Sequence, residues 1–250
     1  MKLINTKKNK ENAGAEKAKN VLNSDSKFAI VEGYKIARTN LVFSLTAQNS
    51  NCVAVTSWSK GEGKSTATVN LAISFAKMGK KVLLIDTDLR RPNLHNLLKL
   101  KNESGVSDLV GQFGDFNTAV HRNVITNLDV LTSGAIPPNP SELLASPVFV
   151  EMLEQAKKDY DYVIMDTPPL GVVADTLLLK EYVGGYVLVV RERITTHGDI
   201  ERALQNIQLA DSKVLGFLKV GCEMRNRGYG YKKYRYRYNY NYNYNYYYRY

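Results

Sequence analysis

Residues 52–65 read Cys-Val-Ala-Val-Thr-Ser-Trp-Ser-Lys-Gly-Glu-Gly-Lys-Ser, and their reading decides the fold. A short apolar strand runs into Gly61-Glu62-Gly63. Beyond Lys64, Val69, Ala72, Ile73 and Ala76 recur at helical spacing until Gly79 supplies a C-terminal cap. Strand, glycine-rich turn and helix in that order make a phosphate-binding loop. Glycine lets successive backbone N–H groups curl toward phosphate oxygens, and the start of the helix adds the positive end of its dipole. Lys60, Gly61, Glu62, Gly63, Lys64, Ser65 and Thr66 are the expected nucleotide cradle. In it Lys64 reaches the β and γ phosphates of ATP and the Ser65 hydroxyl ligates Mg²⁺. One departure is plain: the full pattern has a Gly five residues before Gly63, where this chain has Trp58.

Two acidic segments accompany the loop. The apolar run 81–85 ends in Asp86-Thr87-Asp88-Leu89-Arg90-Arg91-Pro92, and the run 161–165 ends in Asp166-Thr167-Pro168-Pro169. In a parallel α/β sheet the C-terminal ends of the strands are where ligands bind, which puts these carboxylates beside the phosphate loop. Asp166 is expected to hold the metal through its water shell. Asp86 and Asp88 offer a second metal contact and a general base, so Lys64, Asp86, Asp88 and Asp166 form the expected catalytic set. A single Asp after a strand is often only a helix cap, and Asp175, followed by Thr176, is read that way.

Strands near 53–57, 82–86, 128–131, 161–166, 185–190 and 214–220 alternate with helices near 64–78, 141–158 and 198–210, with a further helix over 28–47. The expectation is an α/β fold, a P-loop NTPase-like parallel sheet flanked by helices. Residues 94–127 are the least regular part, and 134–140 form a rigid loop. His95, His121 and His197 are scattered and read as surface or capping residues. Three segments follow: a disordered basic stretch over 1–27, a globular domain over 28–224 and a tail over 225–250.

The formal net charge of +10 is concentrated at the two ends, with seven Lys against three acidic residues in 1–27 and seven Lys or Arg against none in 225–250. Such ends suit nucleic acid, an anionic membrane or an acidic partner, and charge alone does not choose. Cys52 and Cys222 have no metal-ligand spacing, which fits a reducing compartment, and Cys52 reads as a small core residue. No apolar run of about 18 residues or more is present, so a membrane role calls for a partner. Twelve of seventeen tyrosines lie in the tail: Tyr229, Tyr231, Tyr234, Tyr236, Tyr238, Tyr240, Tyr242, Tyr244, Tyr246, Tyr247, Tyr248 and Tyr250. They alternate with Lys, Arg and Asn and have no aliphatic residue to pack on, so a mobile low-complexity segment is expected.

The Gly-Glu-Gly-Lys-Ser loop, the Ile-Asp-x-Asp-x-Arg-Arg-Pro and Asp-Thr-Pro-Pro motifs and the tyrosine cluster together resemble the bacterial tyrosine kinases of capsular and exopolysaccharide biosynthesis. The stand-alone cytoplasmic type is the nearer likeness, and it covers residues 32–250, including Pro137 to Leu144. The resemblance implies ATP- and Mg²⁺-dependent phosphorylation of the tail tyrosines, passed between subunits of a ring. It also implies a membrane adaptor, a polysaccharide co-polymerase whose cytoplasmic segment activates the kinase at the inner face of the plasma membrane. Protein tyrosine substrates and a cognate phosphatase belong to the same picture, and no specific nucleic acid does. Glu32, Lys35 and Arg38 fall on the stretch similar to the family's assembly helix, where Lys35 replaces a usual Arg and loses the bidentate fork. Two other classes stay open. A partitioning or septum-type ATPase of the same superfamily carries a second lysine where this chain has Ser59, and a Tyr/Arg tail could by itself bind nucleic acid or an anionic surface.

Overall fold

The structure is a computed structural model that describes residues 20–111 and 115–222. Residues 1–19 of the basic segment expected over 1–27 and all twelve tail tyrosines lie outside the described residues; within 20–27, Leu22 is buried in the core and its N–H donates to Asn70 Oδ1 at 2.8 Å.

Helix α1 (Phe28–Ala47) precedes β1 (Cys52–Ser57), and the phosphate loop leads into α2 (Lys64–Ala76) and β2 (Val82–Asp86). Three short helices follow, α3 (Leu94–Leu98), α4 (Val106–Val110) and α5 (Phe116–Ala119), then β3 (Val120–Ile125) and β4 (Leu128–Leu131). The chain continues through α6 (Pro140–Leu144), α7 (Pro147–Asp159), β5 (Tyr162–Asp166), a 3₁₀ turn (Asp175–Leu179), β6 (Tyr186–Arg191), α8 (His197–Leu209) and β7 (Val214–Val220).

The seven strands form one sheet in the order β3-β4-β2-β5-β1-β6-β7. β1 lies inside the sheet, between β5 and β6, and every residue of it is buried, which is why it reads as a continuous apolar run rather than an alternating one. Its side chains still sort by parity. Val53 and Val55 pack with α1 and α2 on one face, whereas Cys52 joins Phe149 and Leu153 of α7 on the other. A smaller cluster around Ala54, Tyr186 and Leu188 is closed by Ala203 and Ile207 of α8. Cys52 is core, and burial pushes its thiol up to about 12. α2 is buried along almost its whole length between the sheet and α1, which anchors the loop that feeds it. Replacing Leu71 or Ile73 there by Ala would cost about 2–5 kcal/mol.

The structure amends three expectations. The sheet is mixed, since β3 runs antiparallel to β4 at one edge. Only two residues separate the two strands, Asn127 among them with φ of 66°, and a link that short makes a hairpin but no crossover. β3 escapes the sequence pattern because Arg122 and Asn123 are exposed, the polar character an edge strand needs. The helix expected over 141–158 is two helices. Ser146 caps the second by accepting the Phe149 N–H at 3.2 Å, and Pro147 at its first position has no N–H to continue the first. Asp175 caps no helix; its carboxylate is bound to Arg90 and Ser141. Among the described residues, no helix is long and apolar enough to cross a membrane.

Candidate active site

The phosphate loop owes its shape to two left-handed glycines, Gly61 at φ 83° and Gly63 at φ 90°. Gly63 is the N-cap of α2 and brings no side-chain cap, leaving the first backbone N–H groups of the helix to be satisfied by another group. The loop is braced from far along the chain. The buried Glu62 carboxylate accepts the Ser59 N–H at 2.8 Å and the hydroxyl of Thr195, and Arg191 donates to the Gly61 carbonyl at 3.0 Å. Glu62 therefore enters the cradle through its backbone, with its side chain spent on holding the turn. Lys60 is exposed at the rim. Trp58 is accommodated because residue 171 is glycine: a Cβ there would stand 2.7 Å from Cε2 of the indole, and the Arg202 guanidinium lies over the ring, 5.2 Å from its centroid.

Asp86 and Asp166 are register partners at the ends of the adjacent parallel strands β2 and β5. Lys64 reaches across to them. Its Nζ lies 2.8 Å from Asp166 Oδ1 and 3.6 Å from Asp88 Oδ2, and it is buried at 7% exposure. Lys64 is thus a packed side chain among carboxylates and not a free charge on an exposed loop. Burial alone would lower the Lys64 pKa, but the Asp166 and Asp88 carboxylates outweigh it and the ammonium is held above its ordinary range. Thr68 lies within 3.1 Å of the same Asp166 oxygen.

The other two carboxylates differ in environment. Asp86 is fully buried and accepts three backbone N–H groups, from Asn93 and Leu94 at 3.0 Å and from Asp88 at 3.2 Å. Burial and the neighbouring Asp166 charge nevertheless hold its carboxyl up to about 7. Asp88 lines the cleft, and burial raises its pKa against the pull of Lys64. Asp166 Oδ2 is buried without a hydrogen-bond partner. Such an oxygen suits a metal's water shell. The glycine cradle, the uncapped start of α2 and that oxygen together fit a Mg²⁺-nucleotide, with Ser65, Asp86 and Asp166 as the expected holders. Among the described residues no group of three or more His, Cys, Asp or Glu is arranged to hold a metal alone, so phosphate oxygens and water would complete its shell.

Lys64 and Asp88 line a cleft of about 1520 Å³, whereas Asp86 and Asp166 are fully buried and are not among its lining residues. Ser65, Thr66, Arg191 and Gly221 line the cleft, as do Asp88, Arg90, Pro169 and Val172. Sequence reasoning missed Arg191 and Thr195, which lie 130 and 133 residues from their partners and carry no local signal. Glu32 and Lys35 pair with each other at 2.7 Å on α1, and Arg38 turns inward to donate to the Ser74 carbonyl at 2.8 Å. The structure brings none of these three to the carboxylates.

Comparison with known proteins follows the same lines. A family model described as an AAA domain matches residues 50–215. The chain is 39% identical over 213 residues to the tyrosine-protein kinase YwqD of Bacillus subtilis, covering 85% of this chain and 90% of that one. It is 33% identical over 199 residues to the tyrosine-protein kinase wzc of Salmonella typhi, covering 80% of this chain but 28% of wzc. Among solved structures, the kinase domain of the Escherichia coli tyrosine kinase ETK superposes with a TM-score of 0.75 at 33% identity, covering 81% of this chain and 80% of that one. The septum site-determining protein MinD of Pyrococcus horikoshii reaches a TM-score of 0.56 at 24% identity, covering 67% of this chain and 69% of that one, a likeness of fold alone.

Proposed function

Because this chain belongs to the bacterial tyrosine-kinase family, we propose that it transfers the γ-phosphate of ATP to tyrosine hydroxyls, those of its own tail among them, and so regulates capsular or exopolysaccharide synthesis. The observation that carries the reading is the buried Lys64 ammonium held between Asp166 and Asp88 at the mouth of a glycine cradle. On nucleotide binding the ammonium turns from the carboxylates to the phosphates, where its charge stabilises the charge spread over the transferred group. The tyrosine oxygen attacks phosphorus, the bond to the ADP oxygen breaks, and the phenolic proton passes to Asp88. A phenol of pKa near 10 needs such an acceptor, and Asp88 is the carboxylate of the pair that lines the cleft. Asp86, tied by three N–H groups, holds the loop that carries Asp88. Ser65, Asp86 and Asp166 would hold Mg²⁺, which would neutralise phosphate charge when bound.

The domain acting in this reading spans 28–224, with the tail over 225–250 as substrate. About 30 residues beyond β7 reach on the order of 100 Å when extended, enough to enter a neighbour's cleft. Each phosphate adds about −1.5 to −2 charges to a tail that starts strongly basic, which would reverse its charge and loosen assembly. In wzc the matched region is little more than a quarter of the chain. A separate membrane adaptor supplying the remainder, and recruiting this chain to the inner face of the membrane, is part of the proposal.

Mixing a tailed Lys64→Met protein with an active protein truncated after Gly228 tests the reading, with assembly confirmed and the adaptor segment present. Phosphotyrosine is expected on the inactive, tailed partner. Label appearing only as free phosphate would replace the kinase reading with that of an ATPase switch.

A further inference from the structure

Asp175 and Thr176 are adjacent, buried and outside the set of residues assigned above. Each side chain holds a different motif. The Asp175 carboxylate takes a bidentate pair from Arg90, Nε to Oδ2 at 2.6 Å and a terminal nitrogen to Oδ1 at 3.2 Å, and accepts the Ser141 hydroxyl at 2.7 Å. Arg90 also donates to Ser141 at 3.1 Å, closing a three-membered network. Thr176 donates to the Pro168 carbonyl at 2.7 Å, an oxygen that also lies 3.0 Å from the Thr56 hydroxyl at the end of β1. One dipeptide thus ties the loop after β2, two residues beyond Asp88, to the loop after β5, two residues beyond Asp166. Burial alone would raise the Asp175 carboxyl, but the hydrogen bonds from Arg90 and Ser141 bring it below its ordinary range, as expected of a carboxylate kept charged.

The two tied loops are the part of the cleft wall formed by Asp88, Arg90, Pro168 and Pro169, whereas the phosphate cradle is held separately by Glu62, Thr195 and Arg191. We infer that Asp175 and Thr176 are positioning residues that fix the spacing of these two loops, and so the acceptor side of the site, where the tyrosine hydroxyl meets Asp88. This rests on the kinase reading. It separates two properties that a general structural role would move together, nucleotide affinity and transfer to tyrosine.

The test uses the full chain with the variants Asp175→Asn, Thr176→Val and Arg90→Lys, the last keeping the charge and losing the planar fork. Expected is a ten- to hundredfold fall, to order of magnitude, in turnover of tyrosine phosphorylation, with ATP affinity changed by less than about threefold. The double variant Arg90→Lys/Asp175→Asn should be no worse than the weaker single variant, since both act through one pair. Backbone amides of residues 87–93 should exchange hydrogen faster in Asp175→Asn than in the parent. That readout is independent of catalysis, so an inactive parent would refute the kinase reading while exchange still tests the tie. Unchanged exchange, wild-type turnover in Arg90→Lys, or an equal loss of ATP affinity would overturn the inference. Should Asp175→Asn fail to fold, Arg90→Lys decides alone, because its side chain is 41% exposed and its replacement keeps the charge.

Discussion

Replacing Lys64 by Met tests the charge arrangement and the chemistry at once. The ammonium lies 2.8 Å from Asp166 and 3.6 Å from Asp88, buried, with Asp86 one strand away. Removing one partner of a buried ion pair costs about 3–5 kcal/mol, because the remaining charge stays desolvated. Here the variant has a way to limit the loss. Asp86 titrates at about 7 with Lys64 present, and Lys64 is one of the groups holding that value down, so without it the carboxyl binds a proton more tightly still. A carboxyl whose folded pKa exceeds its unfolded value of about 3.9 favours the folded state at low pH, and that contribution falls by about 1.4 kcal/mol per pH unit until the folded pKa is passed. The parent has finished this loss near pH 7, whereas the variant continues to lose stability above it. Urea unfolding of both proteins without nucleotide should show a deficit that widens above pH 7, by at most about 1.4 kcal/mol per pH unit, until the variant's own raised Asp86 pKa is passed. Autophosphorylation of the variant should be absent at every pH. A variant as stable as the parent with a parallel pH profile would refute the buried triad, and phosphotyrosine at parental levels would refute the role of Lys64.

Two other substitutions separate the carboxylates. Asp166→Asn should weaken Mg²⁺-dependent nucleotide binding by calorimetric titration, as it alters the carboxylate whose second oxygen is unpartnered, and unchanged Mg²⁺-ATP affinity would remove it as the metal anchor. Asp88→Asn should lower turnover with little effect on ATP affinity and abolish the acid limb of the pH–rate profile, whereas a preserved limb would move the proton acceptor elsewhere. Replacing Glu32, Lys35 and Arg38 together by Ala should shift light scattering toward monomer. The exposed Glu32–Lys35 pair contributes at most about 1 kcal/mol of stability, so a change of mass without unfolding would mark an assembly surface and an unchanged mass would place the contact elsewhere.

What the sequence determined by itself is the part of the protein in which chemistry and local order coincide. Gly61 and Gly63 sit where the backbone needs positive φ, the runs ending in Asp86 and Asp166 are apolar because those strands are buried on both faces, and strands separated by helices admit few topologies. From these alone the nucleotide fold, its carboxylate edge and the family resemblance were legible. The tertiary structure decided whatever depends on residues distant in sequence. Trp58 fits because Gly171 makes room, Glu62 faces Thr195 rather than a phosphate, and Asp175 grips Arg90 instead of capping a helix. β3 is a strand only because β4 is there to pair with it, and its polar residues give no periodic signal. The two carboxylates of the second motif, identical in sequence terms, part ways because three backbone N–H groups converge on the buried Asp86, whereas Asp88 accepts the one from Arg91 and lines the cleft beside Lys64. Side-chain type and spacing fix what a residue is able to do; burial and the neighbours that folding brings to it fix which of those things it does.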